Sequence, residues 1–228
     1  MSKSIPKVDL RQVRNETSIA AAIRTVNAAF SSDPLIQWLR PNATPWAQPD
    51  KSVWKWQYRR IQSVMAHGRV LHSASVDEMA LKFPRKQKES TVSVETDVTL
   101  VKEAQSSITT GPSGGEDAGA VRVDQLVTAN KKGLESAQAQ YSKNSMWYLE
   151  VIAVHPSLQA RGIGGGVMNS ILEHVENQPI YLECTRQENI GFYESFGFQV
   201  VDEVELVDEE QNLKLWAMVR PGKASCPE

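Results

Sequence analysis

Between Val154 and Val167 the chain reads Val-His-Pro-Ser-Leu-Gln-Ala-Arg-Gly-Ile-Gly-Gly-Gly-Val, with glycine at 162, 164, 165 and 166. Glycines let a backbone turn so that successive N–H groups point into one cavity. A helix that begins there adds its free N-terminal N–H groups and the positive end of its dipole. Together they make an anion site suited to a pyrophosphate. Two familiar phosphate motifs do not fit. A P-loop needs Lys followed by Ser or Thr after its second glycine, and the stretch has neither. The dinucleotide fingerprint would need glycine at the position of Val167.

The elements around this loop are legible from pattern. Trp147 to Val154 is a continuous apolar run broken only by Glu150, which predicts a buried strand. Val167, Ile171, Leu172 and Val175 mark an amphipathic helix after the glycines. Ile180 to Cys184 is the next strand. Asn189 to Phe196 is a short helix closed by Gly197, and Phe198–Leu206 with Leu213–Val219 form a final strand pair. Upstream, Val8 to Val13 reads as a first strand. Asn15-Glu16-Thr17-Ser18 offers capping chemistry for a helix carrying Ile19, Ile23, Val26 and Phe30, ended by Asp33-Pro34. Leu35 to Leu39 is a short apolar turn, 42–50 a proline-rich loop, and Asp50 to His67 a second long helix stopped by Gly68. Val70–Val76 and Met79–Phe83 read as a strand pair, and 121–141 as a helix. Residues 85–120 read as an insertion, although Val92, Val94, Val98 and Leu100 alternate as a strand would. Gly111 to Gly115 matches Gly-x-Ser-x-Gly, but no strand precedes it and no helix follows, so it is not a nucleophile elbow.

Length and composition limit the function classes. A chain of 228 residues suits one domain, here 8–220, with 1–7 and 221–228 as tails. The net charge of -2 argues against a general nucleic-acid binder. No run approaches the ~18 apolar residues of a membrane span, and the first residues do not form a secretory signal. Cys184 and Cys226 fit neither a metal site nor a disulfide framework, which points to a reducing, cytoplasmic setting. His67 and His72 lack a third metal ligand. The tryptophans at 38, 46, 54 and 56 are core or pocket residues.

A third phosphate pattern fits. Gln159-x-x-Gly162-x-Gly164 resembles the pyrophosphate loop of the GNAT (GCN5-related N-acetyltransferase) superfamily, Arg/Gln-x-x-Gly-x-Gly/Ala. Val154-His155-Pro156 stands before it, where that family often has Val-x-Pro. After the next strand, Asn189-x-x-Phe192-Tyr193-x-x-x-Gly197-Phe198 resembles the family's second signature, and Leu215 to Arg220 resembles its closing strand. A weaker likeness over 19–84, with Ala29-Phe30, Asp33-Pro34 and Trp38-Leu39, points to the branch that includes puromycin N-acetyltransferase.

The resemblance implies an α/β fold with a mixed, mostly antiparallel sheet, splayed near Val154 and flanked by helices. It implies direct transfer of an acetyl group from acetyl-CoA to a primary amine, in a ternary complex and without a metal. The acceptor it suggests is a small molecule. A protein lysine or N-terminus is the alternative acceptor, and a non-catalytic acyl-CoA-binding module is the third reading. Neither nucleic acid nor membrane is an expected partner, and monomer and homodimer both remain open.

By the same resemblance, backbone groups of Gln159, Ala160, Arg161, Gly162, Ile163, Gly164 and Gly165 hold the pyrophosphate. The backbone of Ile152, Ala153 and Val154 pairs with the pantetheine arm, and an N–H near Val154 polarises the thioester carbonyl. Asn189 holds the pantetheine arm or caps its helix, and Phe192 and Tyr193 lie beside the donor. Tyr193 protonates the departing thiolate. A phenol near ~10 and a thiol near ~8.5 make that transfer chemically reasonable. The amine must lose a proton before attack. Glu150, the one ionisable residue in a buried strand, is the leading candidate base, because burial raises a carboxyl pKa. Glu183 is the second, and a base acting through water is a further option.

Overall fold

Asn15 begins the first helix with reciprocal bonds. Its Oδ1 accepts from Ser18 N at 2.9 Å, while Ser18 Oγ accepts from Asn15 N at 3.2 Å. Two N–H groups that the helix cannot satisfy internally are satisfied there. The computed structural model describes residues 5–39, 51–73, 96–101, 118–141, 146–176, 178–208 and 212–222. Along them run β1 (Leu10–Gln12), α1 (Glu16–Ala29), α2 (Pro34–Leu39), α3 (Lys51–His67), β2 (Gly68–Ser73) and β3 (Thr96–Val101). There follow α4 (Ala118–Gln140), β4 (Trp147–Val154), α5 (Ile163–His174), β5 (Ile180–Cys184), α6 (Ile190–Glu194), β6 (Gln199–Val207) and β7 (Asn212–Arg220). The proline-rich loop at 42–50, the strand at Met79–Phe83, the Gly111–Gly115 stretch, Trp46 and Cys226 lie outside the described residues.

The strands form one sheet in the order β1-β2-β3-β4-β5-β7-β6. The β4–β5 ladder is parallel and the other five are antiparallel. This is the mixed, mostly antiparallel sheet that the resemblance implies. Several boundaries move. β1 is shorter than Val8–Val13, since its ladder to β2 spans Leu10 to Gln12. Gly68 does not simply end a helix, because β2 starts on it. Thr96–Val101 falls inside the stretch read as an insertion, yet it pairs with β2 on one side and β4 on the other. Those six residues are part of the sheet.

Period-two alternation divides β5 between two cores. Ile180, Leu182 and Cys184 face α5, packed with Val167, Met168, Ile171 and Phe198. Tyr181 faces the other side, where Ile19, Ala22 and Ile23 of α1, Ile61 and Val64 of α3 and Ala137 of α4 gather. By the same alternation Glu183 belongs to the α1–α3 face.

Gly133, in the middle of α4, shows how closely that face is packed. A Cβ there would stand 2.7 Å from Tyr181 Oη and 3.0 Å from Ala217 Cβ. Glycine costs ~1 kcal/mol against alanine inside a helix, and it is kept where the helix runs this near the sheet. Gly133→Ala is therefore expected to lower the melting temperature although it improves helix propensity. A higher melting temperature would show that α4 can ride outward freely.

Candidate active site

The parallel ladder between β4 and β5 holds for two residue pairs, Trp147↔Ile180 and Tyr148↔Tyr181. Beyond them the strands part, and a cavity of about 460 Å³ opens in the splay. Its walls include Glu150 to Val154 of β4, Leu182 to Cys184 of β5, Gln57 and Arg60 of α3, Asp33, Asn189 and Tyr193. On their other edge, Val151 to Val154 pair with Thr96 to Thr99 of β3. The ladder shifts register between Thr99 and Leu100, so Glu150 is the unpaired residue between Leu149 and Val151. A bulge of this kind bends a strand and re-aims its groups.

Just after Gln159 of the cavity wall, Ala160 and Gly162 both take positive φ, 59° and 80°. Such an alternation turns successive N–H groups toward one point. Gly162 is the N-cap of α5 and contributes no side-chain cap, so the first-turn N–H groups of α5 are not occupied by a capping side chain. Arg161 is exposed, while the Ile163 side chain is buried in the core. Only the backbone of Ile163 can serve an anion. Gly164 packs near the Phe192 ring, and Gly165 lies near Ile5 and Phe196. Phe192 is thus a brace between α6 and the glycine-rich turn rather than a cavity wall; it also meets Phe196 edge-on, 5.2 Å between centroids. Gln159 has a second structural task. Its Nε2 donates to Val154 O at 3.0 Å and ties the loop to the end of β4.

Tyr193 is half-buried, with its ring held edge-on by Phe192 and Phe198. Burial pushes its phenol pKa upward, and the nearby Cys184 and Asp33 add to the rise. The group therefore keeps its proton at neutral pH. Asn189 precedes α6 and makes no side-chain cap, so its amide is exposed toward the cavity instead of being spent on the helix.

The structure adds residues that sequence pattern did not single out. Cys184 lines the cavity, yet its Sγ donates to Arg186 O at 3.0 Å and burial pushes the thiol pKa up. A protonated thiol is a poor nucleophile. Asp33 N-caps α2 by accepting from Leu35 N and Ile36 N, and it accepts from Thr185 Oγ1 at 2.7 Å. Burial raises its pKa, against those hydrogen bonds. Arg186 reaches the Ser32 carbonyl and, at 2.9 Å, Ser32 Oγ. These bonds pin the end of β5 to the α1–α2 corner across 152 or more residues of chain. Trp38 is buried with Leu126 and Leu215, Trp54 packs against the α1–α3 core, and Trp56 lines the cavity.

Both candidate bases are at the cavity, and they differ. Glu150 is 5% exposed and lies 3.4 Å from Arg60 Nη1, itself 6% exposed. Arg60 Nε is held by Gln57 Oε1 at 2.8 Å. Glu183 is half-buried, and burial pushes its pKa up to about 7. The hydroxyls of Tyr148 and Tyr181 restrain that rise, and the charge of Glu150 adds to it.

Residues 117–200 match the family model described as Acetyltransferase (GNAT) domain. The whole fold resembles solved structures at low identity. One is described as histone acetyltransferase HPA2 and related acetyltransferase from Corynebacterium glutamicum. It is 15% identical over 97% of this chain and 100% of that one, with a TM-score of 0.60. Another is the Drosophila melanogaster polyamine N-acetyltransferase, at 12% identity over 93% and 99%, TM-score 0.55. A third is arylalkylamine N-acetyltransferase 2 from Aedes aegypti, at 11% identity over 95% and 99%, TM-score 0.56. These likenesses establish the fold.

Proposed function

We propose, from the premise that this chain carries a GNAT acetyltransferase domain, that it moves an acetyl group from acetyl-CoA to the primary amine of a small molecule. One observation carries the reading. The sheet opens beside a glycine-rich helix start whose N–H groups have no side-chain cap, and Tyr193 stands in the same opening. The first feature suits the pyrophosphate, the freed edge of β4 suits the pantetheine arm, and Tyr193 suits the departing sulfur. A cavity of about 460 Å³ is of small-ligand size. The Drosophila and Aedes neighbours are described as acting on polyamines and arylalkylamines, which favours an amine of that scale.

The chemistry balances without an acyl-enzyme. An ammonium acceptor first loses a proton to a base. The nitrogen lone pair then adds to the thioester carbonyl, and a backbone N–H near Val154 stabilises the oxyanion. As the C–S bond breaks, Tyr193 gives its proton to sulfur and is reprotonated by the second N–H proton of the adduct. The products are the N-acetyl amide, the free thiol of CoA and the proton left on the base.

Calorimetric titration with acetyl-CoA is the first test, followed by an amine panel that includes a lysine peptide and is read as free thiol. Saturable one-site binding and turnover with a small amine are expected. A folded protein that does not bind acetyl-CoA would overturn the reading. A peptide far faster than every small amine would move the acceptor to protein. Intact mass after incubation with acetyl-CoA alone is expected to stay unchanged, and a stable acetyl adduct would replace direct transfer by a two-step route.

A further inference from the structure

Two glutamates reach the α1–α3 side of the cavity, one from each of the strands that part there. Their surroundings are not equivalent. The Glu150 carboxylate is shielded from solvent and held against the Arg60 guanidinium, which Gln57 fixes from behind. Removing either charge would leave its buried partner uncompensated, which is costly, so the two side chains act as one structural unit. Glu183 lines the same cavity, and no arginine or lysine is among the groups that act on it most. Its backbone is held opposite Ala217 in the β5–β7 ladder. The groups that act on it most are the hydroxyls of Tyr148 on β4 and Tyr181 on its own strand, and the charge of Glu150. Arg60 of α3 stands behind Glu150, and Asp33, Cys184 and Tyr193 line the same cavity.

We propose that Glu183 is the base that takes the acceptor's ammonium proton, and that the Arg60–Glu150 pair is a positioning pair whose charges set how basic Glu183 is. The assignment rests on the acetyltransferase reading above. The proton moves from the ammonium nitrogen to a Glu183 oxygen, leaves the nitrogen lone pair free to attack, and passes to solvent after release. A carboxyl that burial has pushed up to about 7 is matched to this task near neutral pH. The pair gives Glu150 a role other than proton acceptor. Its negative charge disfavours ionisation of Glu183, and Arg60 moderates that influence.

The test is kcat/KM against pH for the parent, Glu183→Gln, Glu183→Asp and Glu150→Gln, with an acceptor from the amine panel. The parent is expected to gain activity with rising pH through a midpoint near 7. Glu183→Gln is expected to lose about a hundredfold or more, together with that midpoint. Glu183→Asp keeps a carboxyl limb at reduced rate. Glu150→Gln leaves the buried Arg60 charge without its partner, so it is expected to melt lower than the parent. The folded protein is expected to keep the rising limb, with its midpoint moved to lower pH because a negative charge beside Glu183 is gone.

A second readout needs no turnover. The raised folded pKa means that the folded state holds a proton which the unfolded state has released, so Glu183 lowers stability as pH rises from about 4.5 to about 7. Glu183→Gln should therefore melt progressively higher than the parent across that window and keep a constant lead above it. Equal melting curves at every pH, a parent-like activity profile in Glu183→Gln, or a loss of the limb in Glu150→Gln would each overturn the assignment. Retained acetyl-CoA binding in those same proteins would leave the acetyltransferase reading standing, and its absence in the parent would remove both.

Discussion

Gly164→Glu is expected to abolish acetyl-CoA binding in a protein that folds as well as the parent or better. Gly164 is the second residue of α5 (Ile163–His174). A Cβ there would meet the Phe192 ring at 3.7 Å, an ordinary contact, so a side chain fits. A carboxylate in the first turn of a helix is favourable by ~0.3–1 kcal/mol, because it complements the dipole. The fold should therefore accept the change. Those first-turn N–H groups are the ones proposed for the pyrophosphate. Two unit charges ~5 Å apart at an effective dielectric of ~20 repel by ~3 kcal/mol, which is over about a hundredfold in affinity. Gly164→Gln separates bulk from charge and should lose much less. The measurement is calorimetry with acetyl-CoA beside thermal melting. Unchanged affinity in Gly164→Glu would take the glycine-rich turn out of the donor site.

Tyr193→Phe removes one oxygen from a ring whose packing against Phe192 and Phe198 depends on the ring alone. Stability and acetyl-CoA affinity should therefore hold. Turnover should not. A thiolate leaving without a proton is a worse leaving group, and loss of a positioned general acid typically costs 10²–10⁴-fold. Because burial pushes this phenol above its ordinary range, Tyr193 contributes no falling limb to the activity profile below pH 10. The phenylalanine variant should be slower by a near-constant factor from pH 6 to 9. Parent-like turnover would make Tyr193 an aromatic spacer and leave sulfur to be protonated by water.

Much of the fold was legible where a strand is buried on both faces. Trp147–Val154 and Ile180–Cys184 were read from apolar runs with the bounds they have in the structure. β3 was legible only in part: Val98 and Leu100 alternate with polar neighbours, but Val98 is the one apolar residue in Thr96-Asp97-Val98-Thr99, and the stretch read as insertion. Its place is secured by pairing with β2 and β4, which no local pattern encodes. The site was half legible for the same reason. The glycine spacing revealed the turn, and the lone glutamate in an apolar run marked Glu150. Its partner Arg60 lies 90 positions earlier on α3, so the ion pair could not be seen. Glu183 was legible as a second candidate base, but Tyr148 and Glu150 of β4, which act on it, were not. The Thr185–Asp33 bond and the cavity position of Cys184 carry no signature in the chain at all.

Two residue pairs are the whole ladder between β4 and β5, while β6 and β7 are joined over eight. The sheet thus has two leaves, β1–β4 on one side and β5–β7 on the other, stitched at one end. The side chains that fold over the stitch, Tyr148 and Tyr181 among them, carry what the backbone does not. A donor lying along the open edge would bridge the leaves from the other end. Amide exchange near Tyr148 and Tyr181 should then slow when acetyl-CoA is present, and the melting temperature should climb with its concentration. If acetyl-CoA binds there as proposed, the donor would serve as a temporary structural strand as well as a reagent.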